Sequence, residues 1–330
     1  MRRRDLLALF ACGAVQPPLA AFAQQAEQVR QIGVLIGLSE SDPEAPSRVA
    51  AFQQGLEALG WIDRRNIQIT YRWAPDEQRI RSSAQELVAL RPDLIVAGSS
   101  LVASALLRET RTTPIVFVTA SDPVGDGFVA SLARPAGNAT GFTNSTATMG
   151  GKWLEMIREI APDVTRVGVM FNPETAPAGG AYFLQAIEGV AVSVGLRALA
   201  TPVREPAQIE SALRDIVREP GGSFIVMPDH FTTNHRSVII AQAAQHRLPA
   251  VYPFRYFATE GGLMSYGADL VDLYRRTGTY VDHILRGVKP GELPVQAPAK
   301  FDLVINLKVA RQLGLTISRI LLVRADEVIE

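Results

Sequence analysis

The sequence predicts an α/β fold built from two doubly wound parallel-sheet lobes, and three observations carry this prediction. Short apolar runs alternate with longer amphipathic stretches, which is the pattern of repeated β-α-β units and of a mostly parallel sheet. The pattern recurs along the chain, since Gly33 and Gly168 are 135 residues apart and Ile95 and Ile225 are 130 apart. The length of 330 residues leaves room for about two domains.

The first lobe is predicted from four strands separated by helices. Ile32–Ile36 is a continuous apolar strand, and the helix after it begins near Ser47 and ends at Gly60. Ile67–Trp73 alternates apolar and polar residues, which indicates a strand buried on one face only, at an edge of the sheet. The remaining predicted elements are a helix from Asp76 to Leu90, a strand Leu94–Ala97, a helix from Ser99 or Ser100, and a strand Ile115–Val118.

The second lobe is predicted from three strands that match those of the first. Val167–Met170 corresponds to the first strand, Phe224–Met227 to the third and Leu248–Val251 to the fourth. Further elements follow these strands, namely Gly262–Tyr266, a helix Asp269–Arg286, the proline-rich segment Lys289–Pro298 and a strand Phe301–Ile305.

These late elements must be divided between the lobes. We predict that the chain crosses between lobes three times, near residues 143–147, 252–254 and 296–300, and three crossings form a hinge that lets two rigid lobes close on a ligand. The predicted division is residues 24–145 plus 253–297 for the N-terminal lobe and residues 146–252 plus 298–330 for the C-terminal lobe.

The first 23 residues have the features of a secretory signal peptide. Arg2–Arg4 are positively charged, Leu6–Val15 are apolar, and Ala21–Ala23 form an A-x-A cleavage site before Gln24. The paired arginines also permit twin-arginine export, and an alternative interpretation makes Cys12 a lipid attachment site. No later run of about 18 apolar residues is present, so we expect an exported, periplasmic protein without a membrane span.

Composition argues against several classes of function. Lysine plus arginine and aspartate plus glutamate number 33 each, so no basic surface for a nucleic acid is expected. The single cysteine excludes an intramolecular disulfide, and four histidines leave little for a metal cage. No G-x-G-x-x-G, phosphate-loop, G-x-S-x-G or H-E-x-x-H motif is found. We therefore expect no catalytic residues, no metal and no cofactor.

A binding cleft is predicted at the carboxyl ends of the strands, where open parallel sheets bind ligands. Ser99 and Ser100 follow the third strand at a helix N-terminus, where hydroxyls and free N–H groups suit a ligand carboxylate. The alternative for these serines is a helix cap alone. Ala120, Ser121 and Asp122 follow the fourth strand and offer a second hydroxyl and a carboxylate, or only a turn.

Residues of the second lobe occupy the matching strand ends. Phe171 and Asn172 follow one strand, and Asp229 follows another, where its carboxylate could pair with a ligand ammonium or cap the next helix. The other predicted binding residues end further strands: Leu38, Ser39 and Glu40 after the first, Trp73 at the end of the edge strand, and Tyr266.

Several motifs carry a resemblance to a known family. Ser131–Pro135 (SLARP), Gly137–Gly141 (GNATG) and Gly261–Gly267 (GGLMSYG) are examples. On these the chain resembles the tryptophan/tyrosine-type (TrpX-like) substrate-binding proteins of bacterial ABC importers. Further matches are Pro114–Val116, Asp122–Val124, Lys289–Pro290, Leu293–Val295, Ile305–Leu307 and Leu313–Ile317.

The resemblance implies a type I periplasmic-binding-protein fold and, without catalysis, the capture of a small solute between the lobes, an amino acid or aromatic compound, with aromatic amino acids bound in one branch of the family. It also implies delivery to an ABC permease in the inner membrane by a protein we expect to be monomeric. The chain departs from the family pattern at Ala136, at Asp126 and in the loop Asp229–Phe231. The alternative function is a ligand-sensing domain that passes its closed state to a signalling partner.

Overall fold

The computed structural model describes residues 29–330, and the predicted signal segment with Cys12 lies outside these residues. The first sheet contains five parallel strands in the order β2-β1-β3-β4-β5. Their bounds are β1 (Arg30–Ile36), β2 (Ile67–Trp73), β3 (Leu94–Ala97), β4 (Ile115–Ala120) and β5 (Ala139–Thr143).

The second sheet contains seven strands, and all neighbours pair in parallel except the antiparallel pair β10 and β11. The strand order is β12-β11-β10-β9-β8-β6-β7. Their bounds are β6 (Arg166–Phe171), β7 (Arg197–Pro202), β8 (Gly222–Val226), β9 (Ala250–Tyr252), β10 (Met264–Ala268), β11 (Phe301–Asn306) and β12 (Glu327–Ile329).

The two-lobe α/β prediction is confirmed. The order β2-β1-β3-β4 in the first sheet matches β7-β6-β8-β9 in the second, so the strands spaced by about 135 residues occupy equivalent positions. β2 pairs with β1 alone and is an edge strand, as its alternating sequence predicts. β1 and β3 are apolar and buried because helices cover both faces of the sheet.

Helices cover both faces of each sheet. In the first lobe α2 and α3 pack on one face, while α1 and α10 pack together on the other. In the second lobe α4 and α5 lie on one face, and α6 and α8 on the other. The helix bounds are α1 (Ala45–Glu57), α2 (Glu77–Ala89), α3 (Ser100–Glu109), α4 (Met149–Ile160), α5 (Ala181–Ala191), α6 (Pro206–Val217), α7 (His230–Asn234), α8 (Arg236–Gln245), α9 (Arg255–Thr259), α10 (Leu270–Leu285), α11 (Leu307–Gln312) and α12 (Arg319–Arg324). No helix in residues 29–330 combines the length and apolar character that crossing a bilayer requires.

The segment 253–297 is divided between the lobes, which corrects its predicted assignment as one block. β10 pairs with β9 and β11 in the second sheet, whereas α10 packs on α1 of the first lobe. The second crossing therefore follows β10 rather than lying at 252–254. The physical reason is the antiparallel pairing of β10 with β11, a contact between segments 37 residues apart that local sequence does not reveal.

Three strands were not predicted from the sequence. β5, β7 and β12 are short or carry exposed and polar residues, so they lack a clear apolar run. β5 also forms part of the connection between the lobes. The amide of Thr143 donates to the carbonyl of Gln296 (2.9 Å), and the amide of Gln296 donates to the carbonyl of Gly141 (3.0 Å), so the first and third crossings run side by side.

Two glycines allow α1 and α10 to touch. A Cβ added at Gly55 would lie 2.1 Å from the carbonyl oxygen of Arg275, and one at Gly278 would lie 2.6 Å from the carbonyl carbon of Gly55. Side chains at either position would push the two helices apart, and α10 would leave the sheet that it covers.

We expect Gly55→Ala to lower the free energy of unfolding by about 1–3 kcal/mol, the usual cost of overpacking a filled core. Gly189→Ala on α5 is the matched control, because nothing lies within 4 Å of its added Cβ. The control should gain about 0.5–1 kcal/mol, since alanine favours a helix over glycine. Urea unfolding followed by circular dichroism measures both; equal effects at the two positions would contradict this packing.

Candidate functional site

Polar side chains from both lobes line a cavity between them, at the carboxyl ends of both sheets. It contains about 560 Å³ of empty space, part of it continuous with solvent. Both lobes contribute to its wall, which is the arrangement expected of a ligand site in open parallel sheets. The lining residues used below are Leu38, Arg48, Ser99, Ser100, Thr119, Ser121, Asn144, Thr175, Asp229, His230, Thr233, Phe254 and Tyr256.

The first lobe supplies a row of hydroxyl groups from the ends of β3 and β4. Ser99 is the N-cap of α3, and its Oγ accepts a hydrogen bond from the amide of Val102 (3.3 Å). The Oγ of Ser100 accepts from the amide of Ser121 (3.3 Å), and the hydroxyl of Ser121 donates to Oδ1 of Asn144 (3.0 Å). These bonds fix the hydroxyl groups in position along the cavity wall.

Asp229 from the second lobe faces the cavity, but its two carboxylate oxygens already accept hydrogen bonds. Oδ1 accepts from the amide of Thr232 (2.7 Å) and the hydroxyl of Thr175 (3.2 Å), and Oδ2 accepts from the amide of Asn172 (3.0 Å). Burial raises the pKa of Asp229 to about 6 despite these donors. Asp229 therefore caps α7, the alternative to pairing with a ligand ammonium.

Of the predicted binding residues, five line the cavity. They are Leu38, Ser99, Ser100, Ser121 and Asp229.

The other predicted residues lie elsewhere. Trp73 stacks on Tyr71 at the sheet edge, with ring centroids 6.4 Å apart, and Tyr266 stacks on Phe301 at 5.9 Å. Side chains of Phe171 and Ala120 are buried in the cores of the lobes. The polar residues Ser39, Glu40, Asp122 and Asn172 contribute to turns or to the surface rather than to the cavity wall.

Sequence reasoning missed Arg48, Asn144, Thr175, Thr233 and Tyr256, which also line the cavity. Arg48 had a detectable signal: it lies four residues before Phe52 and eight before Leu56, on the buried face of α1. A charged residue in such a row is unusual. The other four follow strands or lie in short helices whose orientation the sequence does not define.

Direct contacts join the lobes beside the cavity. The guanidinium of Arg236 on α8 binds both carboxylate oxygens of Asp42 in the first lobe (2.7 and 3.1 Å), and its Nε binds Glu260 (2.8 Å). The imidazole of His230 donates from Nε2 to the carbonyl of Pro75 (2.8 Å), and Asn234 donates to the carbonyl of Gly37 (3.2 Å). Burial lowers the pKa of His230, so this imidazole is neutral near pH 7. The structure is therefore a closed arrangement of the lobes.

Comparison with known proteins decides the family. The model of a family described as "ABC transporter substrate binding protein" matches residues 32–329. The chain belongs to this family. Family membership confirms the resemblance drawn from the sequence motifs and gives the chain the role of a solute-binding component of an ABC transporter.

Individual relatives agree with the family match. The chain is 24% identical to the "Tyrosine-binding protein" of Clostridioides difficile over 298 residues, 88% of this chain and 85% of the relative. It is 25% identical to a Streptococcus pneumonia ABC domain solved in complex with L-Trp, with a TM-score of 0.84 over 92% of this chain and 100% of the other. A conserved domain protein from Vibrio cholerae is 28% identical, with a TM-score of 0.83 over 91% of this chain and all of the other. These structures confirm the type I periplasmic-binding-protein fold.

The loop after β4 carries two carboxylates, Asp122 and Asp126, which are not part of the cavity wall. Burial, together with the charge of Asp122, raises the pKa of Asp126 to about 6, although Ser100 donates a hydrogen bond to it. An aspartate in an unfolded chain has a pKa near 3.9. Between these two values the folded protein binds more protons than the unfolded chain, so the free energy of unfolding falls as the pH rises from about 4 to about 6.

We expect Asp126→Asn to remove this pH-dependent loss of stability, because an asparagine side chain does not ionise. The variant should unfold at a higher temperature than the wild type at pH 7, and the two should converge near pH 4. Asp215→Asn on exposed α6 is the control and should show no such pH-dependent difference. Thermal unfolding between pH 4 and pH 8 measures the effect; a constant difference between Asp126→Asn and wild type at every pH would contradict it.

Proposed function

We propose that this chain captures one small solute in the cavity between its lobes and presents the closed form to an ABC permease. The observation that carries the proposal is a cavity whose wall is shared by both lobes and whose rim is closed by direct lobe-to-lobe contacts. A ligand that touches both walls stabilises the closed form only, so its binding energy shifts the population of the lobes toward closure.

The solute class that we propose is an amino acid or an aromatic compound. The relatives named for tyrosine and solved with L-Trp support this class. So does the wall, which combines the hydroxyl groups of the first lobe with the rings of Phe254 and Tyr256 from the second. Within the predicted binding set, we propose Leu38, Ser99, Ser100, Ser121 and Asp229 as wall residues of this site.

Export, a monomeric state and the absence of catalysis complete the proposal. Residues 1–23 would direct export to the periplasm, as their sequence predicts. The family is described as one of ABC transporter substrate-binding proteins, and this description favours transport without catalysis over the sensor alternative.

The proposal is tested by thermal unfolding of the purified protein against amino acids, aromatic acids, purines, sugars and short peptides. A ligand that binds the folded state alone adds about 2.7 kcal/mol of apparent stability at a hundredfold excess over its Kd. We expect a rise in Tm with one chemical class. No rise with any class, together with an unchanged radius of gyration by small-angle X-ray scattering, would contradict the proposal.

A wedge between the lobes should abolish capture. A Cβ at Gly37 would lie 3.1 Å from Nδ1 of His230 in the other lobe and 3.2 Å from Oγ of Ser99. We expect Gly37→Leu to prevent closure because the larger side chain occupies the contact, so the variant should lose ligand binding and have a larger radius of gyration in solution.

Gly189→Leu is the matched control, because its added side chain meets open space. The control should bind ligand like the wild type. Isothermal titration calorimetry and small-angle scattering measure both variants, and normal affinity in Gly37→Leu would show that closure at this contact is not required.

A further inference from the structure

A buried arginine with two unsatisfied donor atoms lines the cavity. Arg48 is 5% exposed, and neither its Nε nor its Nη2 has a hydrogen-bond partner among the described residues. Its guanidinium lies 5.7 Å from the ring centroid of Tyr256 and 5.9 Å from that of Tyr274. Arginine stays protonated in proteins, so these contacts leave a buried positive charge with free donors.

Arg236, a second arginine near the same ring, has the carboxylate partners that Arg48 lacks. Arg236 also lies over the Tyr256 ring, at 5.1 Å, and binds the carboxylates of Asp42 and Glu260. The carboxylates of Asp42 and Glu44 are near enough for their charges to act on Arg48, but neither forms a hydrogen bond with it among the described residues, and Asp42 is occupied by Arg236. Both guanidinium groups lie near the Tyr256 ring, but only that of Arg236 is bound by carboxylates. The free donors of Arg48 are in the cavity wall, so an acceptor for them would come from the cavity.

No other group of the cavity wall in the described chain neutralises Arg48. Asp229 is the wall's carboxylate, and its oxygens are bound by Thr232, Thr175 and Asn172. His230 uses Nε2 on the carbonyl of Pro75. The wall therefore presents donors of Arg48 that have no acceptor, while the oxygens of its carboxylate, Asp229, already accept hydrogen bonds from the protein.

We propose that Arg48 binds a carboxylate of the solute, so that the ligand is a small organic acid anion for which an ammonium group is not required. The guanidinium presents its donors in a fork that matches a carboxylate in two parallel hydrogen bonds. The hydroxyl of Ser99 lines the same cavity and can donate to an acid as well. This inference rests on the proposed function and narrows its solute class.

The binding test uses acids and their neutral amides as matched probes. Benzoate, 3-phenylpropionate and succinate are titrated against the wild type beside benzamide, 3-phenylpropanamide and succinamide. Phenylalanine and 2-phenylethylamine report on the ammonium. We expect acids to bind and their amides not to bind, and 2-phenylethylamine not to bind.

The variant Arg48→Met should then weaken acid binding by at least about 10-fold, the lower end of the range for hydrogen bonds to a charged group. Arg214→Met on the exposed face of α6 is the control and should bind like the wild type. Equal affinity of an acid for Arg48→Met and wild type, or equal affinity of the wild type for an acid and its amide, would overturn the proposal.

A stability test does not need a ligand. In protein unfolded and refolded to remove any bound solute, Arg48→Met should unfold at the same temperature as the wild type or higher, because it removes an unpaired buried charge. Arg236→Met should unfold at a lower temperature, because it leaves Asp42 buried without its partner. A loss in Arg48→Met as large as that in Arg236→Met would make Arg48 a structural residue and overturn the inference.

The two tests separate this inference from the proposed function. If the wild type binds no compound of any class, the proposed function fails, and the stability test alone decides whether Arg48 is unpaired. If the wild type binds a sugar or another neutral compound with unchanged affinity in Arg48→Met, solute capture stands and the carboxylate assignment fails.

Discussion

The ion pair between Arg236 and Asp42 is the contact on which the cavity geometry depends. It joins α8 of the second lobe to the loop before α1 of the first, and both side chains are nearly buried, at 8% and 9% exposure. Two charges in such a position are tolerated only while each has its partner, because a single buried charge has neither a counter-ion nor water around it. The closed lobes therefore bring Arg236 and Asp42 together, and the same closure encloses the space beside Arg48.

Arg236 and Arg48 have different roles in the closed form. Arg236 completes a contact between the lobes, whereas Arg48, which is close to the same Tyr256 ring, has free donors. A solute carboxylate bound to Arg48 would remove the remaining uncompensated charge in the closed form. Ligand binding and lobe closure are coupled in this account because closure removes water from Arg236 and Arg48. Asp42 then pairs with Arg236, and the solute carboxylate pairs with Arg48.

The sequence predicts much of the fold because the α/β pattern is local. Apolar runs such as Ile32–Ile36 and caps such as Ser99 indicate the strands and helix starts directly. Parallel topology then brings the strand ends together, which explains why Leu38 and Ser121 line the cavity. The division of 253–297 was wrong because β10 pairs with β11 across a long loop.

The side-chain identity of the site is harder to predict. Trp73 ends its strand but stacks on Tyr71 at the sheet edge, whereas Tyr266 lies in the middle of β10 and stacks on Phe301. The direction of such side chains depends on the twist of the sheet and on what packs beyond it. Arg48 lies in α1 rather than at a strand end, so the rule that ligands bind at the ends of parallel strands does not predict it. The one local clue is its position in register with Phe52 and Leu56.

The measurement that tests the account most directly is the distance between the lobes with and without ligand. The chain's single cysteine, Cys12, is replaced by serine, and cysteines are introduced at the exposed positions Ser82 on α2 and Ser211 on α6 for spin labels. Double electron–electron resonance should show a broad, longer distance in the ligand-free protein and a single shorter one after an acid is bound. An identical distribution in both states, with binding confirmed by calorimetry, would contradict closure of the lobes on the solute.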